Sequence, residues 1–434
     1  MVPYEVLVYI LDVGRFTPAE LAPVRLVNRA LRAAASEPSM YRDHVHVISE
    51  PPARVAYNEV SAWLAGYLES VPETVAPHLG GLVFPDRRLG RTPRHFPALL
   101  ARFTSLTVLD LNAAGVSKVA EEGIDALPIS LRVLNLGNSV REPAGTMGRL
   151  IRHLTRLEVL AARIAEPHVE LPLDALSSLR RLDISRSYRL LLDEFLTALV
   201  GAPCAATLEA LCLGSVVSAG RWWPHLTLLP SLRELALGAG GWHSENNDDD
   251  VDDYAQTLCS LTQLDVLHVC LNHSRTAEAV WRCGLPPVST LGVEYFVHDD
   301  DGGATTAAKV VAVLPRGLRN LDVLAYDTTK AWDDRAISQV LERCPDLAVL
   351  KMFHPVSATG VAALAAYASA DRYLSVSGKG FDEEGKADLR AAGHAVQMVD
   401  IGVHWRLPGG IHFLDQDQEP EVGRRSKDNL ITRY

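Results

Sequence analysis

The chain has 434 residues, of which 48% are hydrophobic and 22% are charged, a composition typical of globular proteins. A single compact domain of this length is unusual, so we expect two or three domains or an extended repeat array. The net charge of -11 argues against general binding to nucleic acid or to an anionic membrane, which needs clustered Lys and Arg. Basic or neutral protein partners fit this charge better.

The six cysteines and the first residues of the chain indicate the compartment. The cysteines form no CxxC pair and are too sparse for a disulfide scaffold, so we expect reduced thiols in the cytoplasm or nucleus. The string MVPYEVLVYILDVG has no basic region and carries Glu5 and Asp12, so we do not interpret it as a signal peptide. No run of about 18 apolar residues is present, and we predict a soluble protein.

Residues 1–42 are predicted to form a unit of three short helices. Pro3 suits the first turn of a helix whose apolar residues recur at helical spacing, and Gly14 ends that helix. A second helix begins at Thr17, which is a plausible N-cap, and a third begins near Asn28. The three helices precede any repeat in the chain.

The string VPYEVLVYIL, a loop, and then ELAPVRLVNRALRAAASEPSMYR resembles the F-box, although the chain departs from that motif at Val2, Asn28, Leu31 and Met40–Tyr41. The resemblance implies that this segment binds a Skp-family adaptor and, through it, a cullin-RING ubiquitin ligase. The alternative is a set of helices that only cap the repeats, with their apolar residues turned inward. The resemblance implies adaptor contacts at Pro3, Leu7, Ile10, Leu11, Leu21, Val24, Leu26 and Val27.

Residues 43–78 are predicted to form a helical linker that caps the open end of the following array, because they include Tyr57, Trp63, Leu64 and Tyr67. From residue 79 to residue 378 a pattern L-x-x-L-x-L recurs roughly every 22 to 33 residues, close to the period of leucine-rich repeats. Several copies carry a further apolar residue three positions upstream. The clearest copies are Leu106/Leu109/Leu111, Leu131/Leu134/Leu136, Leu179/Leu182/Ile184, Leu208/Leu211/Leu213, Leu232/Leu235/Leu237, Leu264/Leu267/Val269 and Leu318/Leu321/Val323.

Each copy predicts a strand whose apolar side chains face a core, followed by a return segment that is often helical. The Asn or Cys that usually follows the triplet is mostly missing, so we expect no regular asparagine ladder. The acidic segments 243–253 and 298–303 are predicted to be loops. Residues 379–415 are predicted to form a C-terminal cap, and the charged tail 416–434 is predicted to be disordered.

The sequence offers little catalytic chemistry. The acidic run at 246–253 lacks the ligand spacing of a calcium loop, and the histidines have no partner at metal-ligand spacing. No GxSxG elbow and no phosphate-binding glycine motif is present. We therefore predict no metal, no cofactor and no enzymatic activity. The tryptophans between the strands are expected to be buried in the return segments, with an interface role at the rim as the alternative.

The predicted fold is α/β: a three-helix F-box-like module followed by a curved leucine-rich-repeat solenoid with a parallel sheet on its concave side. The predicted function is a substrate receptor of an SCF-type ubiquitin ligase, and the alternative is a non-degradative repeat scaffold. Substrate is expected across the concave face, around the small residues Cys212, Gly214, Ala236 and Gly238, or alternatively at the rim loops. The residues predicted to bind substrate are Asp110, Arg163, Asp183, His268, Glu294 and Lys351.

Overall fold

The computed structural model covers the repeats more completely than the two ends of the chain. The F-box-like segment 1–42, with all its predicted adaptor contacts, and the tail 416–434 lie outside the described residues. The structure describes residues 45–47, 60–71, 73–83, 99–111, 121–136, 144–162, 171–185, 187, 191–214, 222–238, 248–271, 274–296, 303–326, 334–352, 358–367, 375–377 and 395–396.

Within these residues, fourteen strands form one sheet in which every strand pairs in parallel with the next strand along the chain. Sequential order with parallel pairing is the topology of a solenoid, because each repeat adds one strand beside the last. The strands are β1 (Val45–Val47), β2 (Gly81–Val83), β3 (Val108–Asp110), β4 (Val133–Asn135), β5 (Val159–Ala161), β6 (Arg181–Ile184), β7 (Ala210–Leu213), β8 (Glu234–Leu237), β9 (Val266–Leu271), β10 (Thr290–Phe296), β11 (Asn320–Tyr326), β12 (Val349–Met352), β13 (Ser375–Ser377) and β14 (Ala395–Val396).

The return segments between strands contain α-helices or short 3-10 helices. The α-helices are α1 (Val60–Ser70), α2 (Ala144–His153), α3 (Leu192–Gly201), α4 (Asp248–Ser260), α5 (Ser274–Cys283), α6 (Gly303–Val313), α7 (Asp334–Arg343) and α8 (Ala358–Tyr367). The 3-10 helices are Ala76–His78, Glu121–Ala126, Leu173–Ala175, Pro203–Ala206 and Trp223–Leu228. The α/β repeat architecture predicted from the leucine pattern is thus confirmed for the described repeats.

One continuous core runs behind the sheet, and the central residue of each L-x-x-L-x-L motif lies in it. Alternation along a strand sends this side chain to the covered face, where the return segment of the repeat buries it. The upstream apolar residues, such as Phe103, Leu154 and Leu229, are also buried. The central residues, each at most 2% exposed, are Leu82, Leu109, Leu134, Leu160, Leu182, Leu211, Leu235, Leu267, Leu291, Leu321 and Leu350.

Hydroxyl groups connect successive repeats near the points where the strands begin. Each hydroxyl donates a hydrogen bond to a backbone carbonyl oxygen of the preceding repeat, and the carbonyl oxygens of Gly80 and Asp265 also accept backbone N–H groups of the next repeat. These side chains therefore join neighbouring repeats. The bonds are Thr107 to Gly80 (2.9 Å), Ser130 to Leu106 (2.8 Å), Thr207 to Leu179 (2.9 Å), Ser231 to Ala206 (2.6 Å) and Ser289 to Asp265 (3.1 Å).

The sheet is longer than the predicted repeat region, 79–378. Strand β1 lies in segment 43–78, which was expected to be helical, and β14 lies in the predicted C-terminal cap. Helix α1 does fall in the predicted linker. Neither β1 nor β14 carries a leucine triplet, and both are strands because a neighbouring strand supplies their backbone hydrogen bonds.

The prediction of an acidic loop at 243–253 is wrong from Asp248 onward, because Asp248 begins helix α4. Carboxylates in the first turn of a helix favour its formation, since they face the positive end of the helix dipole. Further along α4, Tyr254, Ala255 and Leu258 are buried and attach the helix to the core. In the second predicted loop, 298–303, the last residue already begins α6.

Three of the tryptophans between the strands are buried: Trp222 is 2% exposed, Trp223 4% and Trp281 9%. Trp222 and Trp223 pack against Tyr254 of the following repeat, with each ring centroid 6.2 Å from that of Tyr254. The interpretation as buried aromatic residues is confirmed for these three. Trp242 and Trp332 lie outside the described residues.

Candidate protein-binding face of the sheet

Four of the six predicted substrate-binding residues lie in one register row on the face of the sheet opposite the buried leucines: Asp110, Asp183, His268 and Lys351. Strand register aligns them directly, and period-two alternation places the whole row on that face, here called the open face. Glu294 lies two positions beyond Gly292 of this row. The open-face row consists of Asp110, Asn135, Ala161, Asp183, Cys212, Ala236, His268, Gly292, Asp322 and Lys351.

The row is too long for one side chain or one small molecule to span. Neighbouring strands lie about 4.8 Å apart, so Asp183 and His268, three strands apart, are separated by about 14 Å. From Asp110 to Lys351 the same spacing gives about 43 Å. A surface of these dimensions suits a protein segment or a domain face.

The predicted contacts differ in how well a partner can reach them. Asp183 and His268 are half-buried, so both present part of their surface. Asp110 lies on the same face but is only 4% exposed, so a partner could reach little of its surface. Arg163 lies outside the described residues, and the structure describes only the backbone of Glu294 and Lys351.

The small-residue stretch was predicted to leave room for a partner's side chains, but Gly214 and Gly238 leave no such room. A Cβ atom on Gly214 would lie 1.8 Å from the Ser185 carbonyl oxygen, and one on Gly238 would lie 3.2 Å from the Leu213 carbonyl oxygen. Both glycines therefore permit close approach of neighbouring backbones. Cys212 and Ala236 remain on the open face, each less than 10% exposed.

Gly214→Ala should destabilise the protein by about 1 to 3 kcal/mol, because the added methyl group has no room beside the Ser185 carbonyl group. Chemical denaturation measures this change. Gly66→Ala is the matched control, because a Cβ at this position in α1 would meet no atom within 4 Å. It should stabilise the protein by about 0.5 to 1 kcal/mol, and an equal loss in both variants would contradict this role of Gly214.

An ion pair that the sequence did not predict crosses the open face beside Cys212. Arg181 in β6 donates a hydrogen bond to Glu234 in β8, and their side chains are 10% and 28% exposed. The residue between them in register is Ala210, whose small side chain lets the long guanidinium arm cross β7. Burial raises the pKa of the Glu234 carboxyl, and Arg181 opposes that shift without cancelling it.

The side chains around Cys212 are restrained, and its thiol is a weak nucleophile. One Asp183 carboxylate oxygen accepts a hydrogen bond from the Ser185 backbone N–H at 2.9 Å. A Cβ on Gly292 would lie 2.0 Å from Nδ1 of His268, so the imidazole ring occupies the space that this glycine leaves. Burial, and then the charge of Asp183, raise the pKa of the Cys212 thiol well above its usual value.

Glu234→Ala should destabilise the protein by about 1 to 3 kcal/mol, because it leaves the nearly buried Arg181 guanidinium without its acceptor. Replacing both partners, Arg181→Met with Glu234→Leu, should return stability to within about 1 kcal/mol of the native protein. Denaturant titration of the full cycle measures both values. Glu209→Ala is the control, because its pair with Arg180 is exposed and should contribute less than about 1 kcal/mol. A double variant as unstable as the summed single variants would contradict the pairing.

The described residues also bear on metal binding and on membrane insertion. No group of three or more His, Cys, Asp or Glu side chains there is arranged to hold a metal ion. In the same part of the chain, no helix has both the length and the apolar character that a membrane span requires. None of the six cysteines, all of which are described, forms a disulfide bond.

No family model matches the chain, and the curated proteins contain no significant match. Among solved structures, the chain is similar to one from the structure entitled "Crystal structure of Rad7 and Elc1 complex in yeast". The two are 14% identical with a TM-score of 0.43, and the match covers 78% of this chain and 81% of that one. The repeat fold itself follows from the strand order and register.

Proposed function

We propose that this chain is the substrate-recognition subunit of an SCF-type E3 ubiquitin ligase. The observation that carries the proposal is the order of its parts: a segment that resembles the F-box, residues 1–42, directly precedes a parallel-sheet solenoid. A repeat sheet presents a long surface to a protein partner, and the resemblance supplies the connection to a Skp-family adaptor and its cullin-RING ligase. Such complexes act in the cytoplasm and nucleus.

In this role the chain catalyses nothing and needs no cofactor. It holds a substrate protein close to the conjugating enzyme that the ligase recruits, which raises the effective concentration of the reacting groups. The substrate lies across the open face near Asp183 and His268, and it extends towards Glu294 in β10 and Lys351 in β12. The apolar residues of the N-terminal segment, from Pro3 to Val27, contact the adaptor.

Affinity purification with mass spectrometry tests the proposal by comparing the full chain with a chain that lacks residues 1–42. The full chain should copurify an adaptor, a cullin and a set of further proteins, whereas the truncated chain should retain only those further proteins. Absence of adaptor and cullin from the full-chain sample would contradict the ligase role. That result would favour the alternative, a repeat scaffold that promotes no degradation.

A further inference from the structure

Charged residues of alternating sign lie side by side where six consecutive strands begin. Backbone hydrogen bonds of 2.7 to 2.8 Å join each of these residues to the next, which fixes their order along the edge of the sheet. The sign of the charge alternates without interruption over these six repeats. We call this set the rim row: Arg132, Glu158, Arg180, Glu209, Arg233 and Asp265.

The rim row is accessible although parts of it are paired within the chain. The side chains of Arg132, Glu158, Arg180 and Glu209 are 62%, 39%, 58% and 40% exposed. Arg132 lies 3.3 Å from Glu158, and Arg180 lies 2.6 Å from Glu209. Such exposed pairs are weak, so they leave the charges available to a second partner.

The last two members of the row, Arg233 and Asp265, have fewer side-chain partners within the described residues. Arg233 donates a hydrogen bond to the Gln263 carbonyl oxygen at 2.9 Å, and Asp265 forms no ion pair with any residue that the structure describes. Both side chains are exposed. The row therefore ends in a cation and an anion that a second molecule can pair directly.

The turns beside the rim row are mostly small and uncharged, which allows another surface to approach closely. Arg156 is the exception among the described turns next to the row. Two large hydrophobic side chains are exposed in the described part of the chain, Ile129 at 63% and Leu228 at 55%. Each lies in a segment that leads into a residue of the rim row. The small polar turn residues are Ser130, Thr155, Ser177, Ser178, Thr207, Ser231 and Thr262.

We propose that the rim row binds the rim row of a second copy of this chain around a two-fold axis. A two-fold axis through the midpoint of the row sets the first residue of one copy against the last residue of the other, the second against the fifth, and the third against the fourth. Because the six charges alternate in sign, each residue then faces an opposite charge. Arg180 then faces Glu209 of the second copy, Glu158 faces Arg233, and Arg132 faces Asp265. Each of these contacts occurs twice.

The charges also determine how the association depends on salt. Each copy carries a net charge of -11, so two copies repel at long range, whereas the rim row itself contains three cations and three anions. At physiological ionic strength the screening length is about 8 Å, which suppresses the long-range repulsion and leaves the direct contacts. At about 1 M salt, screening over about 3 Å weakens the contacts as well. Association should be strongest near physiological salt.

Sedimentation of the full chain at concentrations up to about 100 µM tests the proposal, and the native protein should form a dimer. Glu158→Arg and Arg233→Glu should each weaken dimerisation at least about tenfold, because each places like charges across the axis. An equimolar mixture of the two variants should form a heterodimer. In that pair one copy has arginine at both positions and the other has glutamate at both, so every contact between the copies is again between opposite charges.

The mixture separates contacts between copies from effects within one chain. Glu158 and Arg233 are three strands apart, about 14 Å, so they do not pair within a copy.

Glu342→Arg on α7 is the matched control, because it makes the same change of charge away from the rim row and should leave the dimer intact. A native protein that stays monomeric would overturn the proposal. So would single variants that dimerise normally, or a mixture that fails to associate although both variants melt like the native protein. Adaptor copurification is measured separately, so this proposal and the proposed ligase role can fail independently.

Discussion

Leu235→Ala is expected to lower the free energy of unfolding by about 2 to 5 kcal/mol. Leu235 is fully buried in β8, and its register neighbours Leu211 and Leu267 are also fully buried, so truncation leaves a cavity between three repeats. Denaturant titration measures the loss. Because each repeat contacts mainly its neighbours, amide exchange should accelerate most in β7, β8 and β9.

Leu228→Ala is the matched control for this prediction, because Leu228 belongs to the same repeat but is 55% exposed. It should change stability by no more than about 0.5 kcal/mol when measured at low protein concentration. Equal acceleration of amide exchange throughout the chain after Leu235→Ala would contradict the solenoid model. Loss of protection confined to the neighbouring strands would agree with it.

Leu7→Asp is expected to abolish adaptor binding, and Leu11→Asp should do the same. If these residues form the apolar centre of the adaptor interface, the substitution buries an unpaired carboxylate, which costs several kcal/mol. A penalty of about 3 kcal/mol reduces affinity by more than about a hundredfold. Pull-down with purified adaptor measures the effect, and circular dichroism should show that the sheet is unchanged.

Arg15→Asp is the control in the same segment, because it also introduces a carboxylate but falls in the predicted loop between the first two helices. It should retain adaptor binding. Normal adaptor capture by folded Leu7→Asp and Leu11→Asp would contradict the F-box assignment. The apolar residues would then have the role of a cap on the solenoid.

Much of the fold could be predicted because the buried residues of each repeat lie close together in the sequence and have the same spacing in each copy. Leu109, Leu134 and Leu182 each belong to a triplet whose spacing alone predicts a strand and its buried side. Strands β1 and β14 were missed because their few residues form strands only through pairing with a neighbour. Helix α4 was missed because its first turn consists of aspartates, which also suit a solvated loop.

The common face of Asp183, His268 and Lys351 could be predicted, because period-two alternation places them on one side of the sheet before any register is known. The ion pair between Arg181 and Glu234 was not predicted, since it joins residues two strands apart and depends on Ala210 between them. One signal was available: the equivalent position is valine in five of the strands from β3 to β12, and these two residues depart from it. The role of Gly214 also needed the structure, because only the backbone positions reveal its contact with Ser185.

Quantitative affinity purification of three forms of the full chain tests the central claim most directly: the native chain, Leu7→Asp, and Asp183→Lys combined with Lys351→Glu. We predict reciprocal losses, because Leu7→Asp should lose adaptor and cullin while it retains substrate, and the charge-reversed form should lose substrate while it retains adaptor and cullin. A second possible outcome is that the charge-reversed form keeps its substrate, while replacement of Asp248, Asp249 and Asp250 by asparagine releases it. That result would mean that substrate binds at the acidic start of α4 and not on the open face. Full retention of both adaptor and substrate by all folded forms would contradict a receptor that joins a ligase to its substrate.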